Sequence, residues 1–227
     1  MNGEYEVSAV SFHAYAYMSH KYALLSCGAS MGKNYGPIVV SRTPVLPKSL
    51  INMTVAIPGT LTTAFLALRL FEPDIQYKVV AFDKILDEVQ DGKYDAGLLI
   101  HEGQLTYREM GLHKVIDLGV WWLEQTGLPL PLGGNVIKRD LGKQMNRVAH
   151  DIKKSIQYGL DHRNEAMAYA MQFSRGLDTQ RVDQFIGMYV YELTLDYGSE
   201  GKQAVMKLLS EAYEKKVIPE RVALEFV

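Results

Sequence analysis

The chain has one cysteine, Cys27, among 227 residues, so no internal disulfide can staple it. It contains no stretch approaching the roughly 18 consecutive apolar residues that a membrane span requires. No basic segment followed by an apolar one opens it, so no secretion signal is read and the expected location is cytoplasmic. An excess of charge of either sign is also lacking: 24 Lys and Arg stand against 26 Asp and Glu, a formal net charge of -2. With the basic residues scattered, no field is available to draw in nucleic acid or an anionic membrane, and neither is expected as a partner. The phosphate-cradling spacings G-x-x-x-x-G-K-S/T and G-x-G-x-x-G are missing, as are H-E-x-x-H, C-x-x-C and any clustered carboxylates that would hold a metal. The glycines of Gly28 to Gly36 and of Gly133-Gly134 are therefore read as hinges and tight turns, and no internal repeat appears.

What is present is an ordinary globular composition, 48% hydrophobic and 22% charged, in a chain long for one core and comfortable for two lobes. Its most informative stretch is Asp95-Ala96-Gly97-Leu98-Leu99-Ile100-His101-Glu102-Gly103. An apolar run without polar alternation predicts a central strand covered on both faces. His101 stands where that strand emerges, and ligands of open α/β sheets gather outside the carboxyl ends of strands.

The surrounding pattern builds a lobe. Met53 to Ile57 reads as a strand, Thr62-Thr63 opens a helix over Ala64 to Phe71, Tyr77 to Ala81 is a second strand, and a helix near Asp83 ends at Asp91-Gly92. The order from 53 to 101 is β-α-β-α-β, which implies parallel strands with right-handed crossovers. Earlier, Tyr5 to Val10 reads as a strand and Ser11 as the N-cap of a helical segment over Phe12 to Met18. Ile38 to Ser41 is a strand able to cross between lobes. Later, Lys114 to Leu118 reads as a strand and Trp121 to Glu124 as a single turn. Gly127 to Asn135 is too rich in Pro and Gly for regular structure and marks the return crossing. From Lys143 onward the periodicity of Met145, Val148, Ala149, Ile152, Ile156 and Leu160, and of Ala204, Val205, Leu208, Leu209 and Ala212, predicts four helices. The expected division is a first lobe of residues 1–42 and 143–227 and a second of 43–142.

Two constellations could carry chemistry. Histidine exchanges a proton near neutral pH, and a strand end would hold His101 rigidly with its ring exposed, as a general base requires. The competing reading is a histidine that caps a helix or hydrogen-bonds a loop carbonyl. Glu102 is weighted toward a structural role. The second constellation is the pair of hydroxyl-led helix starts, Ser11 and Thr62-Thr63, which could grip an anionic group between them; plain capping is the alternative. His13, His20, His113, His150 and His162 are read as surface or loop residues.

Taken together, Val10-Ser11-Phe12-His13-Ala14-Tyr15-Ala16, Gly36-Pro37-Ile38-Val39-Val40, Ile57-Pro58-Gly59-Thr60-Leu61-Thr62-Thr63-Ala64, Gly97-Leu98-Leu99-Ile100-His101-Glu102 and Thr126 to Asn135 resemble the 1,4-dihydroxy-6-naphthoate synthase family of the futalosine route to menaquinone. The match runs in order from about residue 6 to beyond Tyr197. The resemblance implies an α/β, two-lobed fold like the type II periplasmic binding proteins, with parallel-rich sheets and a helical C-terminal part. It implies a lyase that cleaves cyclic dehypoxanthinyl futalosine to 1,4-dihydroxy-6-naphthoate and dihydroxyacetone without a metal or redox cofactor. The family's proton-accepting histidine corresponds to His101, and its substrate contacts to Ala9, Val10 and Ser11 and to Thr62 and Thr63. Family members normally begin with a further strand-helix-strand unit carrying a Ser-Pro-Cys-Pro-Asn-Asp-Thr type segment, so the first lobe is expected to lack that unit. Two other readings stand beside this one: a small-molecule binding protein on the same lobes, and the sister activity, chorismate dehydratase. The latter family carries a glycine and an aspartate where this chain has His101 and Glu102.

Overall fold

The computed structural model describes residues 3–101, 103–173 and 178–227, so Glu102 lies outside the described residues. Strand β1 (Val7–Ser11) feeds helix α1 (Phe12–Tyr15), and the short strands β2 (Tyr22–Leu24) and β3 (Ser30–Gly32) precede β4 (Ile38–Ser41). The anticipated β-α-β-α-β order follows as β5 (Thr54–Ile57), α2 (Thr63–Phe71), β6 (Gln76–Val79), α3 (Ile85–Gln90) and β7 (Ala96–Leu99). Next come α4 (Gly103–Thr106), β8 (His113–Asp117), α5 (Leu118–Thr126) and β9 (Leu130–Lys138). Helices α6 (Gln144–Asp161), α7 (Arg163–Ala170), α8 (Thr179–Tyr189), α9 (Glu192–Leu195) and α10 (Gly198–Glu214) complete the order, five among the described residues rather than the four expected. Among the described residues no helix is long and apolar enough to cross a membrane.

The strands form two sheets. One has the order β1-β9-β2 with β3 also on β9, and the other the order β6-β5-β7-β4-β8. Among the described residues the strands pair in parallel only where β5 meets β6 and β7, apart from an isolated parallel bridge of Leu24 with Phe226, and the remaining strand pairs are antiparallel, so the sheets are mixed rather than parallel-rich. The reason is the crossing chain: β4 enters the second sheet from the first and β9 returns, each running against its neighbours.

Two segments differ from the sequence pattern. Trp121 to Glu124 is not a single turn but part of nine-residue α5, which Asp117 caps by accepting from the Gly119 and Val120 N–H groups at 3.0 and 3.2 Å. Leu130 to Asn135 is not irregular but the greater part of β9, the strand that every other member of its sheet pairs with. Pro131 is tolerated because β1 ends opposite Gly133, leaving β3 alone beside the strand at the proline, where a missing N–H costs no ladder bond on the open side.

The core is continuous between the sheets. Phe12 and Tyr15 of α1 and Leu24 of the first sheet join Val39, Val55, Ile57 and Leu98 of the second in one cluster that includes α2, Trp122 of α5 and the Val205-Leu208-Leu209 stripe of α10. The predicted α6 positions Met145, Val148, Ala149, Ile152 and Ile156 pack on the opposite face of the first sheet, over Ala23, Leu25 and Ile137. At the first crossing Gly36 lies backbone to backbone against Gly119: a Cβ on Gly36 would come within 2.8 Å of the Gly119 Cα.

Strand β7, which leads into His101, is buried on both faces as its apolar run requires. Helix α3 approaches it so closely that a Cβ on Gly97 would stand 2.6 Å from Ile85 Cγ2 and 2.8 Å from Val89 Cγ2. Both neighbours are β-branched and cannot swing aside. Gly97→Ala should therefore cost about 1–3 kcal/mol by overpacking, read as a lower urea midpoint with an unchanged slope.

Candidate active site

Topology gathers the candidate groups at one sheet edge. Because β5, β6 and β7 are parallel neighbours, the loops after them, carrying Thr62-Thr63, Phe82 and His101, leave by the same edge. Antiparallel β4 begins there, with Ile38 opposite Leu99, and β8 ends there, with Asp117 opposite Ile38. Gly36 and Asp117 thus join the same edge.

The first sheet meets this edge through α1. Ser11 caps α1 by accepting from the Ala14 N–H at 3.2 Å, and its hydroxyl donates to the Leu61 carbonyl. Thr62 caps α2 in the same way, accepting from the Phe65 N–H at 3.2 Å and donating to the Gly59 carbonyl at 2.9 Å. The buried Thr63 hydroxyl accepts from the His13 N–H at 3.3 Å and donates to the Leu132 carbonyl of β9 at 2.6 Å. The two hydroxyl-led starts are therefore brought together as one clasp between the sheets. Each hydroxyl already serves as cap or cross-link, the role the plainer sequence reading gave it. Ala9 and Val10 lie just before the clasp, opposite Asn135 and Gly134 of β9, with Ala9 exposed and Val10 half-buried.

His13 corrects the sequence reading, for it is 3% exposed and not a surface residue. Its Nδ1 stands 3.3 Å from the Thr62 carbonyl, which can only accept, so Nδ1 carries the proton. Nε2 has no hydrogen-bond partner, and burial pushes the imidazole below the ordinary histidine range. Nothing local announced this, since the residues that cover His13 lie 49 and 50 positions away. His20, His113, His150 and His162 are exposed as read.

His101 is half-buried at the exit of β7. Nε2 lies 3.0 Å from the Phe82 carbonyl and must carry the hydrogen; Nδ1 accepts from the Gly103 N–H at 3.2 Å. The ring is thus held as a single neutral tautomer, with the Phe82 ring edge-on at 4.9 Å. The loop-carbonyl contact expected of a structural histidine is present, and it is also the contact that orients a base. A Cβ on Gly103 would come within 2.8 Å of Leu86 Cδ1 and 3.3 Å of the His101 ring, so a larger residue there presses on the imidazole. Nothing in the residue pattern singles out Phe82, whose contribution is a backbone atom.

A buried neutral histidine makes stability depend on pH in a defined direction. Below the ordinary value of 6.5 the unfolded chain takes up a proton at position 13 that the folded chain resists, so stability falls as pH falls from that point. His13→Gln should flatten this part of the curve. Denaturant midpoints between pH 7.5 and 5 measure it, and parallel curves for the two proteins would contradict the assignment.

Residues 1–214 match a family model described as menaquinone biosynthesis. Over 213 residues the chain is 38% identical to 1,4-dihydroxy-6-naphthoate synthase from Thermus thermophilus, covering 93% of this chain and 78% of that protein. The enzyme of the same name from Streptomyces coelicolor is 37% identical over 224 residues, covering 96% and 79%. A crystal structure of an Archaeoglobus fulgidus protein superimposes with a TM-score of 0.89 at 44% identity, over 96% of this chain and 81% of that one. At the level of fold alone, an alkanesulfonate-binding protein of Xanthomonas axonopodis pv. citri gives 0.71 at 10% identity over 99% of this chain and 82% of that one. A Candida albicans protein described as having the generic periplasmic binding protein fold gives 0.67 at 12% over 96% and 75%. The fold is therefore periplasmic-binding-protein-like, and the chain belongs to the menaquinone biosynthesis family, whose relatives named here are enzymes.

Proposed function

We propose that the chain is a 1,4-dihydroxy-6-naphthoate synthase, a carbon-carbon lyase acting on cyclic dehypoxanthinyl futalosine to give 1,4-dihydroxy-6-naphthoate and dihydroxyacetone. The observation that carries the reading is His101: an imidazole at a parallel strand's exit, held in one tautomer with its Nε2–H committed to the Phe82 carbonyl and its Nδ1 lone pair accepting from the Gly103 N–H at 3.2 Å. Support from kinship is the pair of relatives that carry this name at 37% and 38% identity.

In the proposed mechanism Nδ1 of His101 takes a proton from the bound substrate. The electron pair released drives cleavage of the carbon-carbon bond, and aromatisation of the remaining ring pulls the reaction forward. The Phe82 carbonyl keeps its hydrogen bond throughout, because Nε2 remains a donor in both the neutral ring and the imidazolium. The clasp of Ser11, Thr62 and Thr63, with Ala9 and Val10 just before it, is the wall that the substrate's polar groups meet, its hydroxyls keeping the cap and cross-link bonds they already make. The two sheets act as the cores of lobes that close over it and exclude water.

Proton transfer by a placed base is worth about 10²–10⁴-fold, so His101→Ala should lose at least that much turnover. The assay is incubation with the cyclic futalosine substrate while naphthoate absorbance is followed, with circular dichroism to verify the fold. Recovery of unchanged substrate from the native chain would favour a binding protein, and a His101→Ala variant with most of its activity would remove the histidine from the mechanism.

A further inference from the structure

Gln104 is 8% exposed and stands at the junction of three parts of the molecule, yet its sequence context, one residue into a short helix, marks it in no way. Its backbone N–H donates to the His101 carbonyl at 2.8 Å. Its side-chain amide is oriented by its neighbours: the Gly36 carbonyl only accepts and the His101 N–H only donates. The amide nitrogen therefore faces Gly36 O at 2.7 Å, and the amide oxygen faces His101 N at 3.3 Å. Both backbone polar groups of His101 are thus taken by this one residue. The Tyr189 hydroxyl completes the set, 3.2 and 3.3 Å from the two amide heavy atoms. Tyr189 is the last residue of α8, and the Tyr35 ring braces it edge-on at 5.4 Å. Burial pushes its phenol up to about 12, so the hydroxyl keeps its proton at any pH used for assay.

We infer that Gln104 is a positioning residue for His101, coupling the direction of the imidazole to the seating of α8 and of the crossing chain at Gly36. This rests on the reading of His101 as the base. The ring is fixed by the Phe82 carbonyl at Nε2 and by the Gly103 N–H at Nδ1, and the backbone from which it projects is held by Gln104 from both sides. An amide suits the position because Gly36 demands a donor and His101 an acceptor from the same planar group; an ammonium or a carboxylate could satisfy only one.

Two substitutions separate positioning from mere packing. Gln104→Met keeps the shape and removes every side-chain hydrogen bond; it should lower kcat about 10–100-fold, the scale of a misplaced catalytic group, and leave KM within about threefold. Gln104→Glu presents an acid that imitates the amide only when protonated. Its kcat relative to the native enzyme at the same pH should therefore rise as pH falls, a signature that lost packing cannot produce. Should Gln104→Met not fold, Tyr189→Phe removes one hydroxyl from the same network and should give a smaller loss, with the two effects less than multiplicative in the Gln104→Glu background.

A readout free of turnover keeps this inference distinct from the proposed reaction: the ¹⁵N signals of the His101 ring report its tautomer. In the native chain they should show the Nε2–H form, and in Gln104→Met a shift toward the mixed population of a solvated imidazole. Unchanged ring signals together with kcat within twofold of native overturn the inference. Changed ring signals in a protein that turns over no substrate uphold the coupling and overturn the reaction instead.

Discussion

The first sheet depends on one strand. Among the described residues β1, β2 and β3 each hydrogen-bond to β9 and to no other strand, so removal of β9 would leave three unconnected pieces. The same strand reaches the candidate site, since the Leu132 carbonyl takes the Thr63 hydroxyl. Its glycines serve that double duty. A Cβ on Gly134 would stand 2.5 Å from the Tyr197 hydroxyl and 3.0 Å from Phe12 Cζ, so the absent side chain is what lets Phe12 settle and, with it, Ser11 and His13 on either side. The position of the clasp is thus set from the sheet outward.

The clasp and the His101 loop are both built from neutral groups. His13 is kept uncharged by burial, and Tyr35 and Tyr189 are held as phenols. Cross-links between neutral partners are directional and survive changes in ionic strength, unlike the exposed ion pairs such as Lys33 with Glu200 elsewhere on the surface. Order at the sheet edge is therefore a matter of geometry and donor count.

What the sequence made legible was what neighbours in the chain decide. The β-α-β-α-β unit, the buried β7, the Thr62 cap and the α6 and α10 stripes all follow from spacing within a dozen residues, and each is present. The misread elements were decided at long range. Leu130 to Asn135 looks like a loop because its proline and two glycines are judged one by one, whereas three partner strands make it a strand. His13 looks exposed on a four-residue helix until α2 is laid across it, and Gln104 is an ordinary polar residue until α8 and Gly36 converge on it. His101 was legible as a position, through the strand that ends at it, but its tautomer comes from a carbonyl 19 residues away.

The contact of Gly36 with Gly119 carries a mechanical consequence. Two backbones that meet with no side chain between them leave no atom to trim: any carbon added at Gly36 or Gly119 displaces main chain, so the seat of α5 and the path of the crossing chain are fixed together. Gln104 bonds the Gly36 carbonyl, so the loop that bears the imidazole is referenced to that same fixed point.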